Sequence, residues 1–194
     1  MSAAETRTLI VETADRLFYE AGLEATSFAD IAGAVGLSRG NFYYHFKTKD
    51  QILDAVIARR IDRTRAMLDA WEEEGATPVA RIRRFVDLLV ANRAAIMAHG
   101  CPVGTFCEEL AKLDHAALAR ATGLFDLFRD WLAGQFAALG RSGDADHLAL
   151  HLLMRSQGVA TLATAYRDEA FIRREVAAMH AWLDAEAAGG SPRS

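Results

Sequence analysis

The sequence predicts an all-α fold of about nine helices, with a small N-terminal three-helix domain followed by a larger helical one. Three observations carry that expectation. Apolar residues recur at three- and four-residue intervals in Ala-, Leu-, Arg- and Glu-rich segments along the 194-residue chain. No segment shows the apolar-polar alternation of a half-buried strand. Composition fits a globular protein, with 52% hydrophobic residues, 25% charged residues and only three prolines.

The first helix is expected over about Glu5 to Ala21, where Ile10, Ala14, Leu17, Phe18 and Ala21 share one face and Gly22 ends it. SFADIAGAVGL (27–37) reads as a short second helix with Phe28, Ile31, Ala32 and Val35 apolar. It stops at Gly36, where a tight turn favours a residue able to take positive φ. Ser38 then caps a third helix within SRGNFYYHFKTKD (38–50) by accepting a hydrogen bond from its exposed N–H groups. Thr48, with Gln51 three residues later, opens a fourth as a capping box. Leu53, Ile57, Ile61, Leu68 and Trp71 keep one face of it apolar as far as a break at residues 72–75.

Thr77, followed by Pro78 at the first helical position, starts a fifth helix expected to reach His99 through Ile82, Phe85, Val86, Leu89 and Ile96. Gly100-Cys101-Pro102 breaks it, because the residue before a proline avoids the helical region. A short sixth helix reaches Ala111. Asp114 caps a seventh, which carries Leu124, Phe128, Trp131 and Phe136 to about Gly140. The eighth is expected over Asp146 to Tyr166, and Asp168 starts a ninth that fades at Ala187. The expected domains are residues 1–48, residues 49–188 and a disordered tail at 189–194.

Helix, glycine-containing turn, helix over residues 27–50 is the pattern of a helix-turn-helix, whose second helix reads DNA. Phe42 and Phe46, four apart, mark the buried face of that helix, leaving Gly40 and Tyr44 opposite and Asn41, Tyr43 and His45 on the flanks. Gly40 permits close backbone approach, and the planar fork of Arg39 suits guanine O6 and N7. Tyr43, His45, Lys47 and Lys49 are placed as phosphate contacts. Ser27, Ser38, Asn41 and Tyr44 complete the expected DNA-binding set. The net charge of −4 is no obstacle, because no acid occurs between Ile31 and Lys49. A basic face on an acidic protein suits a sequence-specific binder better than a general DNA coat.

From about Thr8 to Val56 the chain resembles the DNA-binding domain of the TetR family of bacterial transcriptional regulators. LIVETADRLFYEAGLEATSFADIA and AVGLSRGNFYYHFKTKDQIL carry the likeness, through their spacing, Gly-Leu-Ser turn and YYHF ending. The resemblance implies a homodimeric repressor released from double-stranded DNA by a small-molecule effector, and one reading helix per chain then calls for an inverted-repeat operator. It also implies a four-helix bundle as the dimer interface. Leu152, Val159 and Leu162 on the eighth helix are candidates for it, with Ile172, Val176, Met179 and Leu183 at four-three-four spacing on the ninth. Closure of the monomer core would produce the same stripes.

An effector pocket is sought among Phe85, Leu89, Met97, Cys101, Phe106, Phe125, Phe128, Trp131, Met154 and Tyr166, a set equally able to form core. Cys101, expected at a helix N-terminus, fits either a reactive thiolate or a small residue buried at a tight turn. Cys107, six residues on, points to another helix face, so the two cannot bridge within one helix. An enzyme using Cys101 with His99 would lack an orienting third group and an oxyanion loop, so no catalytic activity is expected. His147 and His151 stand one turn apart without completing a four-ligand frame, so neither metal nor cofactor is expected. No run of eighteen apolar residues and no signal-peptide core occurs, so the expected location is the cytoplasm, away from membranes.

Overall fold

The computed structural model describes residues 2–189, which form ten helices and no strand among the described residues. They are α1 (Ala3–Ala21), α2 (Phe28–Val35), α3 (Arg39–His45), α4 (Lys49–Glu74), α5 (Pro78–Ala91), α6 (Arg93–His99), α7 (Gly104–Lys112), α8 (Leu118–Ala138), α9 (Ala145–Tyr166) and α10 (Glu169–Gly189). The all-α class stands. The expected fifth helix is a rod interrupted at Asn92, which yields α5 and α6. Asn92 has φ −102° and ψ 13°, and its Nδ2 donates back to the Leu88 carbonyl at 3.0 Å. Such a local side-chain bond competes with the helical ladder.

Caps set most boundaries. Ser2 accepts from the Glu5 amide and Glu5 from the Ser2 amide, so α1 begins two residues earlier than its apolar stripe suggests. Asp114 does not cap the next long helix. It sits at φ 47°, and α8 starts only at Leu118 after the His115 ring accepts from the Ala117 amide at 3.1 Å. Gly189, expected in the tail, closes α10, and the tail residues 190–194 lie outside the described residues.

The chain forms two compact units. One takes in the residues up to Arg63 together with Thr105–Gly123, and so extends beyond residues 1–48. Its core contains Ile10, Ala14, Phe18, Ile31, Phe42, Phe46, Ile52 and Leu110. The other comprises Thr64–Gly104 and the residues from Leu124 onward. In its core α5 packs on α10, α6 on α9, and the Trp71 and Trp131 rings lie 5.5 Å apart. No helix among the described residues is long and apolar enough to cross a membrane.

Candidate nucleic-acid interface

The first unit presents α3 on a rigid frame. Ser27 caps α2 by accepting from the Asp30 amide at 3.1 Å, and Asp30 accepts from the Ser27 amide at 2.8 Å. Those bonds hold the Asp30 carboxyl below its ordinary pKa. Gly36 ends α2 at φ 72° and ψ 24°, a conformation glycine adopts without a Cβ penalty. Ser38 then caps α3 through the Asn41 amide at 3.4 Å. The side-chain oxygens of Ser27 and Ser38 are thus engaged as caps, at two helix starts whose remaining amides suit phosphates.

Phe42 and Phe46 are buried as their spacing requires, and Asn41, Tyr43 and Tyr44 are exposed. The Phe28 ring meets Phe42 edge-on at 4.7 Å and Tyr43 at 5.0 Å, so Tyr43 is braced from α2. Tyr44 stands edge-on to His45 at 5.1 Å. A Cβ added at Gly40 would meet nothing within 4 Å, which leaves that face open for close approach. Arg39 opens α3, and its side chain lies outside the described residues.

Cations hold the end of α3. Arg7 donates to the His45 carbonyl at 3.3 Å with its guanidinium 4.0 Å from the Phe46 ring centre, and the exposed Lys47 donates to the Tyr43 carbonyl. Lys49 is not directed at phosphate. Its ammonium donates to the Leu23 carbonyl at 2.9 Å and the Thr26 carbonyl at 3.2 Å, which requires a half-buried side chain turned inward. From α7, Glu109 accepts from the amides of Leu23 and Glu24 at 2.8 and 2.9 Å. The two charges therefore clamp the loop between α1 and α2. Gly22 makes room, since at φ 97° a Cβ would lie 3.1 Å from Glu109 Oε1. Sequence reasoning missed Arg7 and Glu109, whose partners lie far away in the chain.

The second unit holds a cavity of about 110 Å³ that is partly open to solvent. Phe85, Leu88 and Leu89 of α5, Asn92 and Ile96 form one wall, and Phe125 and Phe128 of α8 another. Leu153, Ser156, Gln157 and Ala160 of α9 and the loop Cys101-Pro102-Val103 complete it. Of the expected pocket residues, Phe85, Leu89, Cys101, Phe125 and Phe128 line it. Met97 packs on the surrounding core, and Trp131 lies against Trp71. Phe106 belongs to the first unit, its ring centre 4.5 Å from the Arg60 guanidinium carbon. Met154 and Tyr166 face outward, at 61% and 68% exposure. Cys101 precedes α7 by three residues instead of heading a helix, and neither cysteine is in a disulfide. Among the described residues no cluster of three His, Cys, Asp or Glu could hold a metal, and His151 lies against the Trp182 ring at 5.0 Å.

Residues 10–56, which contain the whole helix-turn-helix, match the family model for bacterial regulatory proteins of the tetR family. That segment is a TetR-family DNA-binding domain. A helix-turn-helix transcriptional regulator from Lactococcus lactis is 27% identical over 136 residues, 69% of each chain. The transcriptional repressor DhaR of Mycobacterium sp. strain GP1 is 26% identical over 133 residues, 68% of this chain and 64% of that protein. The crystal structure of a TetR transcriptional regulator from Legionella pneumophila matches 95% of this chain and 97% of its own, with a TM-score of 0.79 and 25% identity. The chain thus carries a TetR-family helix-turn-helix domain, and the relatives it matches are named as transcriptional regulators.

The expected dimer seam needs correction. Leu152, Val159, Ile172, Val176, Met179 and Leu183 are all buried inside their own protomer, leaving only Leu162 of that set exposed. The strongest apolar period marks the face that closes the monomer core. The outward face of α9 instead carries Leu150, Met154, Leu162 and Tyr166 at steps of four or eight residues, 42–68% exposed. Gly158 stands midway, where an added Cβ would meet nothing within 4 Å.

Proposed function

We propose that the chain is a ligand-responsive repressor that binds an inverted-repeat operator as a homodimer. The carrying observation is α3 itself: its apolar side is anchored by Phe42 and Phe46, while Gly40, Asn41, Tyr43 and Tyr44 face solvent in an acid-free stretch. In this reading Gly40, Asn41 and Tyr44 approach the major groove with Arg39 at the helix start. Tyr43, His45, Lys47 and the amides near Ser27 and Ser38 contact phosphates. In this reading the unit that runs to Arg63 and includes Thr105–Gly123 binds DNA, and the unit of Thr64–Gly104 with the residues from Leu124 onward takes the effector and dimerises. DhaR, a repressor by name, supports the direction of regulation.

The α9 stripe supports the dimer. Four exposed apolar side chains flank a glycine that lets two helix backbones come close, and one reading helix per chain needs a two-fold partner to meet paired half-sites. The apolar cavity supports a small-molecule effector. Sedimentation and footprinting on DNA upstream of the protein's own gene test the proposal. A dimer protecting two half-sites about 34–36 Å apart, or a multiple of this, is expected. A monomer protecting one unrepeated site overturns it. Arg39→Ala should relax base preference at one position of each half-site, at a cost of about 1–3 kcal/mol. Equal loss on operator and random DNA removes its base-reading role.

A further inference from the structure

The cavity in the second unit has a chemistry narrow enough to name a ligand class. None of its fourteen lining residues is Asp, Glu, Lys, Arg or His. Arg93, beside the rim residue Asn92, is already paired with Glu169 at 2.8 Å. An ion entering this space would lose part of its hydration without gaining a counter-charge, an unfavourable transfer. The volume of about 110 Å³ is modest, and an apolar cavity of about 150 Å³ admits benzene. The Phe85 and Phe128 rings, 5.5 Å apart and inclined at 56°, suit the edges and faces of a further ring.

One polar group in the wall is poorly engaged. Ser156 is buried and already donates to the Leu153 carbonyl at 2.7 Å. Asn92 donates to Leu88 and is exposed. Gln157 donates to Ser156 Oγ at only 3.4 Å, while its Oε1 lies 2.4 Å from where a Cβ of Gly104 would stand. The Gln157 amide therefore lies between the cavity and the first residue of α7, in space that any other residue at 104 would contest.

Resting on the ligand-responsive reading above, we infer that the effector is a neutral molecule built on a single apolar ring with one hydrogen-bonding group. Gln157 is the residue that recognises that group. Occupying its amide from the cavity side draws Oε1 away from Gly104, which couples ligand binding to the start of α7.

The test uses benzyl alcohol, toluene, benzoate and benzylammonium as probes. Calorimetry measures binding to the full-length protein, and a gel shift on the upstream DNA measures release. Benzyl alcohol should bind at least tenfold more tightly than either ion. Gln157→Leu should weaken benzyl alcohol about tenfold and leave toluene unchanged, and Ala160→Phe, which fills the cavity, should abolish binding of both. Equal or tighter binding of an ion, or no binding of any probe, overturns the ligand class. Unchanged benzyl alcohol affinity in Gln157→Leu overturns the role of Gln157. Binding of benzyl alcohol without release of DNA upholds the ligand class while removing the ligand-responsive reading. Release by an ion alone does the reverse.

Discussion

Replacing Glu109 by alanine removes the carboxylate that accepts the Leu23 and Glu24 amide hydrogens at 2.8 and 2.9 Å. Hydrogen bonds to a charged acceptor contribute about 1.5–3 kcal/mol each. The two are unequal here. The Leu23 bond is partly buried and the Glu24 bond exposed, so water replaces the second far better than the first. One bond lost and one largely replaced gives about 2 kcal/mol. At 1.4 kcal/mol per factor of ten, local opening of the loop becomes about thirtyfold more frequent. Amide hydrogen exchange followed by NMR measures this residue by residue. The Leu23 and Glu24 amides should exchange about thirtyfold faster, while amides of the second-unit core keep their rates. Glu109→Gln retains an acceptor without the charge and should fall between. Unchanged exchange at Leu23 refutes the clamp, as does uniform acceleration throughout the chain.

Lys49→Met keeps the aliphatic stem and deletes the ammonium bound to the Leu23 and Thr26 carbonyls. A loss of about 1–2 kcal/mol, or about 3–6 °C in melting temperature, should follow, with the salt slope of operator binding unchanged. A slope shallower by about one would return Lys49 to the phosphates. Met154→Glu places two facing charges on the exposed stripe of the proposed dimer and should raise its dissociation constant at least about a hundredfold by sedimentation. An unaltered dimer excludes that face. Asp30 titrates below its ordinary value of 3.8 because it accepts hydrogen bonds from Ser27, so its contribution is present above that value and lost as pH falls through the depressed one. Chemical shifts should show the first turn of α2 loosening only at such acid pH. Loosening between pH 5 and 7 would contradict this.

Local signals carried most of the fold. Ser27, Gly36 and Ser38 each act within three residues of themselves, so the motif was legible from its own segment, and the Phe42–Phe46 spacing identified the buried face of α3. Interactions made across the chain were not legible. Lys49, a cation in an acid-free stretch, reads as a phosphate ligand until its carbonyl partners, 23 and 26 residues earlier, are seen. Glu109 lies 86 residues from the Leu23 amide it accepts. Periodicity ranks faces by hydrophobicity, so it selected the α9–α10 stripe that closes the core and passed over the weaker outward row containing Gly158. The pocket failed by phase. Met154 and Tyr166 share helix α9 with Leu153 and Gln157, but their side chains are turned to solvent.

The segment 105–123 brings Phe106, Glu109 and Leu110 into the same unit as α1 to α3. A head exchanged between relatives as residues 1–48 alone would leave its own loop anchor behind and meet a stranger's. Gly22 and Glu109 are then best treated as one inherited pair, because a larger residue at 22 strikes the carboxylate and a shorter one at 109 abandons two amides. New operator specificity is more freely acquired by point changes along the exposed side of α3 than by recombination at its flanks. A chimaera intended to fold should carry residues 105–123 together with its head.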